Sequence, residues 1–196
     1  MTALYWGWAH IDERGATEAG RQAARAALAQ LDEAYELAYD GSRPVIRGPS
    51  SFSLSISHGK SLAVAVVGRC TAIGVDLCEV DRGPTIRRLA ERFLEPSERA
   101  LIEDDHSAAA IWAAKEAGLK ARGFGIYESG LLDDPRTCSV MVASLAPPRY
   151  SNPELALQLQ DRDDAVVALA YADQIEADHQ ALVNAVVRGL VPSARV

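Results

Sequence analysis

Cysteine is scarce in this sequence, and what there is cannot all pair: Cys70, Cys78 and Cys138 are an odd number at wide spacing, with no C-x-x-C among them. Neither a disulfide framework nor a thiolate zinc site is expected, and a reducing cytoplasm is the expected compartment. Long apolar runs are missing as well. None approaches the roughly 20 residues a helix needs to cross a bilayer, and Met1 to His10 has neither the basic flank nor the small-residue cleavage site of a signal peptide. Membrane association is not expected. An excess of basic charge is also absent: 20 Lys and Arg against 27 Asp and Glu give a net charge of -7, which argues against a nucleic-acid binder. Low-complexity tracts and strong sequence repeats do not occur. What remains is a chain of 196 residues, 48% hydrophobic and 24% charged, enough for one large domain or two small halves sharing an interface.

Periodicity then divides the chain. The aromatic-rich Ala3 to Ile11 reads as a strand with Leu4, Trp6 and Trp8 on one face. An Ala-, Leu- and Gln-rich helix follows from Ala16 to about Ala34, its stripe of Ala24, Leu28 and Leu31 turned to a sheet. Between the loops at Asp40-Gly41-Ser42 and Gly48-Pro49-Ser50 only an extended stretch fits. Phe52 to Ser57 alternates apolar residues with Ser, and after His58-Gly59-Lys60-Ser61 the run Leu62 to Val67 is apolar, so the two form a hairpin. Thr71 to Leu77 is a third strand whose Asp76 is costly to bury unless something pairs with it. Helices are expected over Pro84 to Phe93, in a short turn capped by Glu95 with Glu98 at its third position, and from about Ser107 to Arg122 with Gly123 as the left-handed stop. Strand signals at Ser139 to Ser144, Leu155 to Leu159 and Ala165 to Ala172 precede a final helix over Gln174 to Val187. Helix plus antiparallel strands, met twice, suggests an α+β protein of two similar halves.

Three segments could carry chemistry. In Trp112-Ala-Ala-Lys115-Glu116-Ala-Gly-Leu-Lys120, the residues Trp112, Glu116 and Lys120 are four apart and share a helix face. A carboxylate and an amine so placed can hold a metal and a phosphate, though a solvated ion pair beside a core Trp fits that helix equally well. Ser57-His58-Gly59 at a hairpin turn can approach a phosphate, or be ordinary surface. Asp76 in Gly74-Val75-Asp76 offers a hard oxygen to Mg²⁺, or caps a strand end.

The order and spacing of these three, the serine-histidine turn, then the Gly-Val-Asp, then the Trp-x-x-Lys-Glu-x-x-x-Lys helix, resemble the Sfp-type 4′-phosphopantetheinyl transferases of the holo-acyl-carrier-protein synthase superfamily. Gly41-Ser42-Arg43-Pro44, Arg92-Phe93-Leu94 and Glu98 resemble connecting features of that family. The resemblance implies a pseudo-twofold pair of α/β subdomains, each a helix on a small antiparallel sheet, over 1–72 and 73–196, with the active site between them. It implies Mg²⁺ held by Asp76 and Glu116, coenzyme A contacted by Arg43, Ser57, His58, Lys115 and Lys120, and catalysis by Glu116, Lys120 and His58. Lys115 points about 100° away from Glu116 on an ideal helix, which weakens its assignment. The implied partner is an acyl or peptidyl carrier protein, and two fused halves imply a monomer. Arg82, Arg87, Arg88, Arg92 and Arg99 cluster just after the Gly-Val-Asp strand, where they either dock an acidic carrier or form a mixed solvated helix face.

Two features depart from the Sfp-type pattern. Cys78 stands where many members have a second acid, with Glu79 one place further, closer to the G-x-D-x-x-E of the smaller synthases. The chain before Arg43 is short, so the basic residues that hold the 3′-phosphate elsewhere have no clear counterpart; Arg14, Arg21, Arg25 and Arg47 are the substitutes on offer. A silent relative that binds carrier or coenzyme A, and a Mg²⁺-dependent hydrolase of coenzyme A or holo-carrier, remain as alternatives.

Overall fold

Two three-stranded antiparallel sheets, each backed by one helix, meet across a shared core. The structure is a computed structural model, and it describes residues 3–31, 34–41, 43–48, 52–124 and 140–172. The first sheet joins β1 (Leu4–His10), β5 (Leu62–Gly68) and β4 (Ser53–His58) in the order β1-β5-β4 and carries α1 (Ala16–Leu28). The second joins β6 (Ala72–Glu79), β10 (Ala165–Ala172) and β9 (Ala156–Arg162) in the order β6-β10-β9 and carries α4 (Asp105–Ala121). Two hairpins are added: β2 (Glu36–Asp40) with β3 (Arg43–Arg47), and β7 (Val142–Leu145) with β8 (Pro148–Tyr150). Between β6 and α4 run a 3-10 turn at Val80–Arg82, α2 (Gly83–Phe93) and the single-turn α3 (Pro96–Arg99).

Strand alternation builds the core. Leu4 and Trp6 of β1 with Val64 and Val66 of β5 pack against Ile73, Val75 and Leu77 of β6 and Val167 and Leu169 of β10, so the inner faces of both sheets share one cluster. Their outer faces meet the helices: Ala63 and Ala65 lie against Ala19, Ala23 and Ala24 of α1, while Cys78, Val166, Ala168 and Ala170 lie against α4. Alanine on both sides of each contact lets helix and sheet approach closely. At the closest points the strand residue is glycine. A Cβ on Gly7 would stand 1.8 Å from the Ala23 carbonyl oxygen and 2.7 Å from the Ala27 nitrogen; one on Gly74 would stand 1.9 Å from the Ala117 oxygen and 2.6 Å from the Ala121 nitrogen. The same crossing is therefore made twice, once per half, which gives the α+β pair its pseudo-twofold character.

Gly74→Ala should consequently force α4 off β6. We expect a loss of at least the ~1–3 kcal/mol typical of overpacking, read as a fall in the urea midpoint, because the clash is with backbone that has no rotamer to yield.

Several sequence-based boundaries shift. α1 stops at Leu28 rather than near Ala34, because Gln30 turns back to donate its side-chain amide to the Trp6 carbonyl at 2.7 Å and the Ala26 carbonyl at 3.0 Å. The extended stretch after Gly41 is half of a hairpin whose other strand, β2, is mostly exposed and carries no core-facing alternation. α4 starts earlier, capped by Asp104, which accepts from the Ser107 N–H at 2.7 Å while Ser107 returns the bond. Gly123 does stop this helix, at φ 92°. Pro148, expected in a loop, opens β8. The final helix over Gln174 to Val187 lies outside the described residues.

Candidate active site

The edges of the two sheets, β4 and β6, run side by side without a backbone ladder between them. Serine hydroxyls stand in for it: Ser55 Oγ accepts from the Val75 N–H at 2.9 Å, and Ser57 Oγ accepts from the Leu77 N–H at 3.2 Å. Both serines are buried. The alternation that marked β4 as an amphipathic strand thus also supplies the polar groups that satisfy the edge of β6. The run Ser53, Ser55, Ser57 carries that signal in the sequence; its use as a seam could not be read from it.

Asp76 sits on this seam, 6% exposed, on the face of β6 that meets α4. Its Oδ1 accepts from Ser57 Oγ at 2.7 Å and from the Lys120 ammonium at 2.7 Å. The same ammonium donates to the Val75 carbonyl at 3.1 Å. These partners offset the cost of burying the carboxylate. Glu116, partly exposed, precedes Lys120 by one helical turn and shares its stripe on α4. Trp112, a turn further back, is 3% exposed, stacks edge-on with Phe93 at 5.7 Å and carries Arg82 over its ring at 5.8 Å. Ser57, Asp76 and Lys120 are therefore brought together, with Glu116 one helical turn from Lys120.

Other expected residues are placed differently. His58 is exposed at the end of β4, and by strand alternation falls on the face opposite Ser55 and Ser57. Arg43 opens β3 opposite Asp40; its side chain lies outside what is described. Lys115 is a correction. Its ammonium is fully buried and bonds both carboxylate oxygens of Glu98, at 3.0 and 2.9 Å, so it has no path to a ligand in the cleft. Glu98 also accepts from the Val142 N–H at 2.8 Å and from the Glu95 N–H at 3.0 Å. One carboxylate thereby ties α3, β7 and α4 together, a role beyond the capping position its sequence context suggested.

The departures at Cys78 and Glu79 also resolve into contacts. Cys78 follows Asp76 on the α4 face, but it is wholly enclosed by the core, and burial pushes its thiol up to about 12. A thiol held protonated is a poor metal ligand. Glu79, on the other face, accepts the Lys60 N–H at the β4–β5 turn, where a Cβ on Gly59 would overlap its Oε1 at 1.8 Å. It serves the turn.

A cavity of about 530 Å³ opens beside the cluster, between the β2–β3 hairpin, β4, the start of β6 and the end of α4. Pro44, Ile46, Phe52 and Phe124 give it apolar walls, and Ser55 and Lys120 face it with polar groups. The donor set beside it suits a hard cation. Asp76 already pairs with one positive charge, the ammonium, and Glu116 offers a second carboxylate. Among the described residues no three His, Cys, Asp or Glu converge as a closed cage. Mg²⁺ needs none, because it takes one or two carboxylates and completes its shell from phosphate oxygens and water.

A buried carboxylate paired with a lysine thus lies beside a cavity of about 530 Å³, with a second acid one helical turn from that lysine. Residues 72–175 match the model of the 4′-phosphopantetheinyl transferase superfamily, and the chain belongs to that superfamily. A holo-[acyl-carrier-protein] synthase of Campylobacter fetus is 44% identical over 59 residues, 28% of this chain and 51% of that protein. One from Campylobacter curvus is 45% identical over 62 residues, 28% of this chain and 52% of that protein. The chain spans about half the length of the curated relatives it matches. A solved holo-(acyl-carrier-protein) synthase from Bacillus anthracis, in complex with coenzyme A (3′,5′-ADP), is 26% identical with a TM-score of 0.41, over 52% of this chain and 95% of that one.

Proposed function

We propose that this protein is a magnesium-dependent 4′-phosphopantetheinyl transferase, which carries the phosphopantetheine arm of coenzyme A onto a serine of an acyl or peptidyl carrier protein. The observation that carries the reading is the cluster at the β4–β6 seam, in which Ser57 and Lys120 converge on Asp76 with Glu116 one turn away. Membership of the superfamily supports it. The halves, 1–72 and 73–196, contribute one wall each: β4 from the first, β6 and α4 from the second.

In this reading Asp76 and Glu116 would hold Mg²⁺, which would neutralise charge building on the departing adenosine 3′,5′-bisphosphate. Lys120 and Ser57 hold diphosphate oxygens. Glu116 takes the proton from the carrier serine. The serine oxygen bonds to the β-phosphorus, the bond from that phosphorus to the bridging oxygen breaks, and adenosine 3′,5′-bisphosphate leaves. The cavity, within the roughly 300–1,000 Å³ usual for ligand pockets, takes the nucleotide portion. His58 and Arg43 keep candidate contacts with coenzyme A from their places at the end of β4 and the head of β3.

Carrier docking narrows to fewer arginines than the sequence offered. Arg82 covers Trp112, Arg87 pairs with Asp105, and Arg99 pairs with Glu91 at 3.5 Å. Arg88 and Arg92 are exposed and four apart on α2. Reversing both to Glu should raise the carrier KM at least tenfold at low salt with KM for coenzyme A unchanged; a steady-state titration of each substrate reads the two values.

The activity itself is tested by incubating the protein with Mg²⁺, coenzyme A and apo-carriers, then weighing the carriers. A gain of about 340 Da, the phosphopantetheinyl group delivered by this phosphoryl transfer, is expected. No gain on any carrier with coenzyme A still bound would make the protein a silent binder. Adenosine 3′,5′-bisphosphate released without carrier modification would make it a hydrolase.

A further inference from the structure

The side chain at the centre of the seam is doing something that a metal site in waiting need not do: one of its carboxylate oxygens, Oδ1, is already occupied by an ammonium. Asp76 Oδ1 takes the Ser57 hydroxyl and the Lys120 ammonium at 2.7 Å each. Lys120 is held there by a second acceptor, the Val75 carbonyl at 3.1 Å, and only 24% of its side chain is exposed. We propose that Lys120 is a resident counter-ion: its ammonium occupies Asp76 in the free protein, and it must leave that carboxylate before a divalent cation is held there. The inference rests on the transferase reading, in which Asp76 and Glu116 take the metal.

The physical case is one of competition and exchange. An ammonium and a dication cannot both press on one nearly buried carboxylate without strong mutual repulsion. Mg²⁺ bound through either oxygen of this carboxylate would stand within a few ångströms of that ammonium. Lys120 has somewhere else to go, because it lines the cavity as well as the seam. A diphosphate placed in the cavity gives the ammonium a new anionic partner. The lysine then turns from Asp76 toward the ligand, and the carboxylate is freed in the same step. Metal and diphosphate should therefore bind with positive coupling, and by linkage each raises the affinity for the other by the same factor. Metal alone should bind weakly.

Lysine is rare enough here to make the exchange observable. Lys60, Lys115 and Lys120 are the chain's only lysines. Lys60 pairs with Asp81 at the surface, and Lys115 is enclosed with Glu98, so both serve as internal references. Two measurements on the full chain test the proposal. Mn²⁺ binding is followed by electron paramagnetic resonance, with and without coenzyme A, for the wild type, Lys120→Met and Asp76→Asn. The ε-methylene resonances of ¹³C-lysine-labelled wild type are followed as Mg²⁺ and coenzyme A are added.

Lys120→Met should bind Mn²⁺ alone at least tenfold more tightly than the wild type, and the enhancement by coenzyme A should shrink at least tenfold. The Lys120 resonance should move as the site fills while those of Lys60 and Lys115 stay. Equal or weaker Mn²⁺ binding by Lys120→Met overturns the proposal. So does a Lys120 resonance that stays put at saturation, which would mean that any tightening is a general effect of removing charge; this second readout needs no variant to fold. Asp76→Asn binding Mn²⁺ as well as the wild type would instead remove the metal site itself, and the transferase reading with it.

Discussion

Glu116→Gln should lower kcat for transfer to the carrier by three orders of magnitude or more, with the thermal midpoint nearly unchanged. The variant keeps the side chain's size but removes the charge that holds the cation and the base that takes the serine proton. General-base catalysis alone contributes about 10²–10⁴-fold, and a thousandfold loss is about 4 kcal/mol of transition-state stabilisation. Glu116 is partly exposed, and the amide keeps its side chain's shape, so the expected loss falls on activity rather than on stability. Asp76→Asn should lose as much activity and also some stability, because Asp76 accepts two hydrogen bonds at the seam, one from a charged donor. A single-turnover assay of carrier modification, run beside a melting curve, separates the two variants. Retention of more than a tenth of the wild-type rate by Glu116→Gln would remove it from the chemistry.

Lys115→Met should destabilise the protein by about 3–5 kcal/mol, the range for stranding one member of a buried ion pair. Both side chains are inaccessible, so no water replaces the lost donors. Lys115→Met combined with Glu98→Gln should recover a large part of the loss, since the amide oxygen can still accept from the Val142 N–H while the stranded charge is gone. Urea unfolding midpoints at constant m-value report both numbers. Loss of activity without loss of stability in Lys115→Met would instead return this lysine to the ligand site.

Local signals specify the structure where local physics decides it. The face of Leu4 and Trp6, the hairpin of β4 and β5, the Glu95–Glu98 cap and the stop at Gly123 all follow from spacing, turn chemistry and backbone freedom. Asp76 was legible as a buried carboxylate in need of a partner, and helix spacing put Glu116 and Lys120 on one stripe. Contacts distant in sequence were not legible. Nothing near Gln30 announces that its amide will bond Trp6 and end α1. Nothing near Lys115 announces Glu98, 17 positions back. The β2 strand, Glu36 to Asp40, is mostly exposed and shows little alternation, so its pairing with β3 is set by partner rather than pattern. Cys78 stands at the family's acid position, yet its environment is apolar core, which only packing reveals.

The most direct measurement is anomalous diffraction from crystals grown with Mn²⁺ and coenzyme A. The account predicts one anomalous peak at the β4–β6 seam, coordinated by an oxygen from Asp76, an oxygen from Glu116 and the diphosphate, with the Lys120 ammonium on the phosphates. A peak that lacks either carboxylate, or a diphosphate bound away from this seam, would contradict it.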